Sequence, residues 1–392
     1  MPQNPLRSLT LAALALAAAG SALGAPLNLA VSGRADDERF ERARVEQAYL
    51  GHALGPIDGV VEAAIEDAQF ELDAAKIQVK LTKEDAGSAE AARALAVKLE
   101  KAGHAALIVD WPAAWITAAA AAAVKMPIFN AGEAADALRQ QDCRANVFHT
   151  LPSERMRADA LAQWLVARKW QKVLVLHGTG AADQARLVTV QNTLRRYGLK
   201  PVAAKPFKLS ADPRERDLAN PLLLTAGLDY DVLWVVDADG EFARGLPYRI
   251  SLPRPVVGDA GLTAQAWMAR FERFGAPQVS RRLAKSADRP IAPQDWAAWM
   301  AAKAVLQAAI AQPAGNAAAW MKAYTQPSFA LDGSKGARMG FRPWDRQLRQ
   351  PVLLTDGQGV IALAPIEGLL HPSNVLDTLG ADAPEKLCKA PA

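Results

Sequence analysis

Short runs of apolar, often β-branched residues alternate along this chain with longer stretches in which apolar positions recur at helical spacing. The short runs predict strands at Leu27 to Val31, Ile77 to Leu81, Ala105 to Val109, Pro127 to Asn130, Asn146 to Thr150, Lys172 to Leu176, Lys200 to Pro206, Val232 to Val236, Pro255 to Val257 and Pro351 to Leu354. Helices are predicted at Ser88 to Ala102, stopped by Gly103, at Ala135 to Gln141, and at Arg155 to Lys169, where Ser153 is a natural N-cap and Glu154 suits the first turn. Two more run from Asp183 to Tyr197, stopped by Gly198, and from Trp296 to Ala311, announced by Pro293 and Asp295. Such alternation is that of parallel sheets covered by helices on both faces, so the fold class is α/β.

Two of these α/β units follow one another, with Asn146 to Pro152 between them. A further helix, the glycine-rich stretch Gly333 to Gly340 and a last strand pair come after both units and must return to them. The expected architecture is therefore two Rossmann-like lobes joined by several crossovers. The N-lobe is assigned residues 26–150 plus 282–350, and the C-lobe with its tail residues 151–281 plus 351–392. A chain of 392 residues suits two such domains by size.

Residues 1–25 read as an export signal: Arg7 near the start, an apolar Leu11 to Ala19, then small residues at Ser21 to Ala25. That run is too short to span a membrane, which needs about 20 apolar residues. With no cysteine at the cleavage point, a periplasmic protein without a lipid anchor is expected. The two cysteines, Cys143 and Cys388, are predicted to pair in that oxidising compartment and to pin the C-terminal tail. Five scattered histidines form no HExxH or CxxC companionship, so no metal is expected. The formal net charge of +4 is small and its charges are interleaved, which gives no nucleic-acid footprint.

In open parallel sheets ligands bind beyond the carboxyl ends of the strands. Read in order, those ends supply Arg34, Asp110, Trp111, Asn130, His149, Thr150, His177, Asp237, Asp239 and Asp259 as candidate ligand-binding residues, with Trp267 further on. Each polar residue has an equally ordinary structural use in a cap or turn, and Trp111 either covers the core or offers a stacking face. There is no GxSxG elbow, no GxxxxGK[ST] loop and no GxGxxG after the first strand, so an enzyme is not expected.

The order of elements, together with GARMGFRPWDRQLRQPVLL (Gly336 to Leu354), resembles the type 1, branched-chain amino-acid-type periplasmic binding proteins of ABC transporters. CRANVFHTLPSERMRADALAQWL (Cys143 to Leu165), PRPVVGDAGLTAQAW (Pro253 to Trp267), FRPWDRQLRQPVLL (Phe341 to Leu354) and LDTLGAD (Leu376 to Asp382) are similar to the branch associated with PQQ-dependent alcohol dehydrogenases. The charged stretch Arg34 to Arg44 departs from that family by lacking its glycine-bearing ligand loop. The resemblance implies a monomeric Venus flytrap that binds a small molecule between its lobes for an inner-membrane ABC permease. It requires no cofactor, and pyrroloquinoline quinone (PQQ) is the leading ligand. Arg34, Lys83, Arg144 and Lys208 are the cations for its carboxylates, and Trp111 and Trp267 the faces for its ring. An amino acid or alcohol-derived metabolite as ligand, a sensor or dehydrogenase partner, and an exported enzyme are the competing readings.

Overall fold

The computed structural model describes residues 25–389, so the export-signal reading lies outside the described residues except at Ala25. The strands are β1 Ala25–Ser32, β2 Ile77–Lys83, β3 Ala106–Val109, β4 Ile128–Asn130, β5 Val147–His149, β6 Lys172–His177, β7 Lys200–Pro206, β8 Val232–Val236, β9 Val256–Gly258, β10 Thr263–Gln265, β11 Leu331–Asp332, β12 Arg338–Met339, β13 Val352–Thr355 and β14 Val360–Ala364. The helices are α1 Arg42–Glu46, α2 Asp58–Asp67, α3 Gln69–Ala74, α4 Ala89–Lys101, α5 Ala113–Ala122, α6 Glu154–Ala167, α7 Ala181–Arg196, α8 Pro221–Thr225, α9 Ala276–Ala287, α10 Pro293–Ala311 and α11 Ala317–Tyr324.

The first parallel sheet has the order β2-β1-β3-β4-β5 and the second β7-β6-β8-β9. The two lobes of the α/β expectation are thus both present. The central strands of each sheet are buried on both faces, while the edge strands β2 and β7 are partly exposed. In the N-lobe, α2, α9 and α10 cover one side and α4 and α5 the other, and the central strand β3 is buried throughout. In the C-lobe, α6 and α7 pack on one face, while Phe207, Tyr230 and Leu246 close the other. Ser153 caps α6 by accepting from the Met156 amide, as its position predicted, and Ser88, read as the first residue of its helix, caps α4 by accepting from the Ala91 amide. The stretch predicted as a helix at Ala135 to Gln141 shortens to a 3-10 turn, Asp136–Arg139.

The chain crosses from the N-lobe after β5, returns after β10, and crosses again before β13. The return corrects the expected boundary at residue 281: Trp267, Phe271, Ala276 and Val279 already belong to the N-lobe core, where Trp267 stacks on Trp296 at 5.9 Å. A tryptophan that fills a core, and not the end of a helix, decides where the lobe changes.

The crossovers are tied by side chains of Phe341 to Pro351. Gln347 donates to the carbonyls of His149 and Leu151 and accepts from Arg139. Gln350 donates to Thr150 O at 2.7 Å and accepts from the buried Lys335 at 2.8 Å. Fully buried Arg342 grips the tail through Asp377 at 2.9 Å and through the carbonyls of Leu376 and Leu379. The tail also docks on α6, by Arg155–Glu385 at 2.7 Å and by the Gly380 amide on Asp159 at 2.9 Å. Cys143 and Cys388 are joined, which pins the tail back to the N-lobe as expected.

Candidate functional site

The segment after β1 and the loop after β8, at the carboxyl ends of the two sheets, meet where the fold class places the ligand cleft: Tyr49 Oη donates to Ala238 O at 2.7 Å. On the N-lobe rim, Asp85 accepts from the Gly33 amide at 2.6 Å and so fixes the turn after β1 that carries Arg34. Asp110, after β3, is held by Arg39: Nη2 lies 2.9 Å and Nη1 3.3 Å from its two oxygens. The same guanidinium grips Asp37 through Nε at 3.0 Å. Gly132 is required beside this pair, because a Cβ there would collide with the Asp110 carboxylate.

Arg34 differs from its neighbours. Among the described residues it has no carboxylate within ion-pair distance, and its Nε is buried without a hydrogen-bond partner. Burial, reinforced by the like charge of Arg39, holds its pKa below the usual arginine value, although Asp110, Asp37 and Glu133 oppose the shift. Its donors are thus free for an acceptor that no side chain supplies.

On the C-lobe rim, carboxylates are spent on the backbone. Asp183 Oδ1 accepts from Ala238 N at 2.7 Å, and a Cβ at Gly178 would collide with its other oxygen. Asp237 accepts from Ala243 N, and its own amide donates to Asp259 at 2.8 Å. Asp259 in turn pairs with Arg186 at 2.5 Å, and Arg186 reaches Glu154 at 3.4 Å. Burial, with Asp259 adding like charge, pushes the Asp237 carboxyl up. Asp239 is exposed, and His177 lies on the rim with Nδ1 2.9 Å from Gly178 O. A cavity of about 30 Å³ behind Arg186 has room for a water and not for a solute, whereas one of about 200 Å³ opens along Ser32, Gly33, Lys83 and Asp85.

Several predicted ligand residues are withdrawn from the cleft. Trp111 is fully buried under the N-lobe sheet, where its Nε1 donates to Gly33 O at 2.8 Å, and Trp267 is buried beside Trp296 with Nε1 on Ser280. Neither offers a stacking face; the large apolar ring area goes to the cores. Asn130, His149 and Thr150 are buried in the crossover. Asn130 Oδ1 accepts from the Gly132 and Glu133 amides, its Nδ2 donates to His149 Nδ1 at 3.0 Å, and Thr150 Oγ1 donates to Asn130 O. Lys83 pairs with Asp58 and Glu62, Lys208 with Glu215, and Arg144 is exposed ahead of β5, at the opposite end of the sheet. Arg34, Asp110, His177, Asp237, Asp239 and Asp259 do come to the two rims. Arg39, Tyr49, Asp183 and Arg186 were missed. Asp183 was legible as an N3 acid bonded back to a turn amide, but nothing local marks a residue that reaches across lobes.

Among the described residues no cluster of three or more His, Cys, Asp or Glu side chains could hold a metal, and no helix is long and apolar enough to cross a membrane.

Residues 56–246 match the family model described as "Periplasmic binding protein". No curated protein matches the sequence. Among solved structures, a periplasmic binding protein from Burkholderia mallei is similar over 93% of this chain and 98% of its own, with TM-score 0.64 and 13% identity. A solute-binding protein of an ABC transporter from Rhodopseudomonas palustris, solved with 3,4-dihydroxybenzoic acid, is similar over 84% of this chain and 92% of its own, with TM-score 0.63 and 14% identity. An ABC transporter substrate-binding protein from Desulfitobacterium hafniense, in complex with leucine, is similar over 85% and 98%, with TM-score 0.64 and 13% identity. The last two neighbours are described as binding proteins of ABC transporters. Over residues 56–246 the chain matches the periplasmic binding protein family, and over the two lobes it carries the type 1 fold of ABC-transporter binding proteins.

Proposed function

We propose that this protein captures a small carboxylate-bearing solute between its lobes and presents it to an ABC permease, with PQQ as the largest cargo of that class to test. The observation that carries the reading is Arg34. It is a partly buried guanidinium at the end of β1 with no carboxylate partner among the described residues, while Arg39 and Arg186 are both paired. A bidentate carboxylate supplies the missing charge and acceptors. The ligands named for two neighbours, 3,4-dihydroxybenzoic acid and leucine, carry a carboxylate, which agrees with this chemistry.

One unpaired cation suits one carboxylate better than the three of PQQ, and Tyr49 and His52 are the ring faces left at the cleft mouth, 5.4 Å apart. Benzoate-sized acids therefore belong beside PQQ in the test. Thermal unfolding of the mature protein with PQQ, 3,4-dihydroxybenzoate and leucine should give a rise in melting temperature that grows with concentration for at least one acid. No rise for any of them at about 1 mM, where a Kd of about 10 μM adds roughly 2.7 kcal/mol by mass action, contradicts the proposal.

A further inference from the structure

Between β1 and α2 the chain leaves the N-lobe rim and runs over to the C-lobe before returning. Residues 37–52 hold a 3-10 turn at Glu38–Phe40 and the short helix α1, and neither buries a side chain. The segment has no core of its own and is held at its ends. At the N-lobe end, Arg39 clamps Asp110, Gln294 Nε2 donates to Gly51 O at 3.2 Å, and His52 Nε2 lies 3.3 Å from Arg39 O. At the C-lobe end, Tyr49 Oη donates to Ala238 O at 2.7 Å and Arg244 donates to Gln47 O. Gly240 has φ +70°, and a Cβ there would collide with the Tyr49 ring, so the turn accepts the tyrosine because residue 240 has no side chain. Asp237 and Asp239, two of the acids predicted for the ligand, flank the carbonyl that Tyr49 uses.

We propose that residues 37–52 form a latch across the cleft, pivoting on the Arg39–Asp110 clamp and releasing at the Tyr49–Ala238 contact, so that a solute enters or leaves only when it opens. The physical ground is the contrast between the two ends. The pivot is an arginine forked between two carboxylates, both themselves largely buried. The release end is two hydrogen bonds to backbone carbonyls and one ring laid on a glycine, on a segment with exposed helix residues at 42, 43, 44 and 46. Segments with so little burial open locally while the lobes stay folded. This inference deepens the receptor reading and rests on it for its consequence, but the latch contacts themselves are tested without any ligand.

Arg42 and Arg44 lie in exposed α1, and trypsin cuts after them only when the segment leaves its docked helical form, so the cleavage rate reports the open fraction. Tyr49→Phe removes only the hydroxyl; Gly240→Ala displaces the ring. Cleavage at Arg42 and Arg44, followed by mass, should be roughly fivefold faster in Tyr49→Phe, the worth of one net hydrogen bond, and faster still in Gly240→Ala, with an unchanged melting temperature in Tyr49→Phe. Rates within twofold of wild type in Tyr49→Phe overturn the latch, even if Gly240→Ala misfolds. With 3,4-dihydroxybenzoate or PQQ as probe, a working latch speeds both association and dissociation in Tyr49→Phe. Faster cleavage without binding of either probe leaves the latch standing and removes the carboxylate reading. Wild-type cleavage with wild-type binding rates removes the latch and leaves the receptor.

Discussion

Replacing Arg342 by methionine keeps much of its volume and removes its charge and donors, at a side chain with no solvent exposure. Its Nε is 2.9 Å from Asp377, its Nη2 is 2.6 Å from Leu379 O and 3.1 Å from Leu376 O, and Asp345 lies 3.5 Å from Nη1. Removing one partner of a buried ion pair costs about 3–5 kcal/mol because the other charge is stranded. Here Asp377 keeps Arg349 at 2.8 Å, which softens the charge penalty, while the Leu376 and Leu379 carbonyls lose a donor. The expected loss is therefore near the low end, about 3 kcal/mol. In urea, with a slope of about 3 kcal/mol per molar for a chain of this size, the midpoint should fall by roughly 1 M. Arg349→Met, at a partly exposed position, should cost about 1 kcal/mol as the control. An Arg342→Met midpoint within about 0.3 M of wild type, at an unchanged slope, refutes the assignment of Arg342 as the grip on the tail.

Two further outcomes follow from the crossover and the tail. His149 accepts from Asn130 at Nδ1, and Asn130 cannot turn over because its oxygen serves two amides; burial, aided by the nearby Arg139, then holds the His149 pKa well below its ordinary value. A histidine kept neutral in the folded state binds its proton only on unfolding, so stability is full above about pH 6.5 and declines toward acid by up to about 1.4 kcal/mol per pH unit from this residue. Between pH 6.5 and 5 that slope should be shallower in His149→Gln, and parallel curves for the two proteins by urea titration contradict it. Reducing Cys143–Cys388, or the double serine variant, should expose the tail around Glu385 to proteolysis and lower stability by roughly 3–5 kcal/mol in the chain-entropy model, and an unchanged urea midpoint with a protected tail counts against the pinning role.

All ten strands read from the alternation of apolar runs are present; the buried central ones, such as Ala106–Val109 and Val232–Val236, are continuous apolar stretches bounded by turn residues. The strands at 263–265, 331–332 and 338–339 went unread, and of the expected last strand pair the member at 360–364 was not given bounds; these strands are short or partly exposed, and their pairing is decided by the crossovers. Of the motifs that carried the resemblance, PRPVVGDAGLTAQAW brings Asp259 to the C-lobe rim, and the others serve the joints between lobes and tail. FRPWDRQLRQPVLL supplies Arg342, Gln347, Arg349 and Gln350, and LDTLGAD supplies Asp377 and Leu379 that Arg342 grips. CRANVFHTLPSERMRADALAQWL supplies Cys143, Arg155 and Asp159, which hold the tail. Those stretches specify how the lobes and tail are joined, which explains why they pointed to fold and architecture more sharply than to cargo.

The site was legible only in part, for a physical reason. Strand ends can be found from the pattern, so Arg34, Asp110 and Asp237 were within reach, but whether a strand-end residue faces the cleft depends on packing behind it. Trp111 and Trp267 show the limit: Trp111 follows a predicted strand and Trp267 an unread one, and both turn inward because a ring of that size gains more from the core than from a solvated cleft. Arg39 and Tyr49 lie in a charged stretch with no periodicity, and their importance arises from contacts 71 and 189 residues away.

The most direct measurement of the central claim is calorimetric titration of wild type and Arg34→Met with the best-binding acid of the panel and with its methyl ester. Removing a desolvated anchor should cost about 2–4 kcal/mol, so the acid should bind Arg34→Met roughly 30- to 1,000-fold more weakly, and the ester should bind wild type about as poorly. Equal affinity of both proteins for the acid, or of wild type for acid and ester, would contradict the account of a carboxylate receptor built on Arg34.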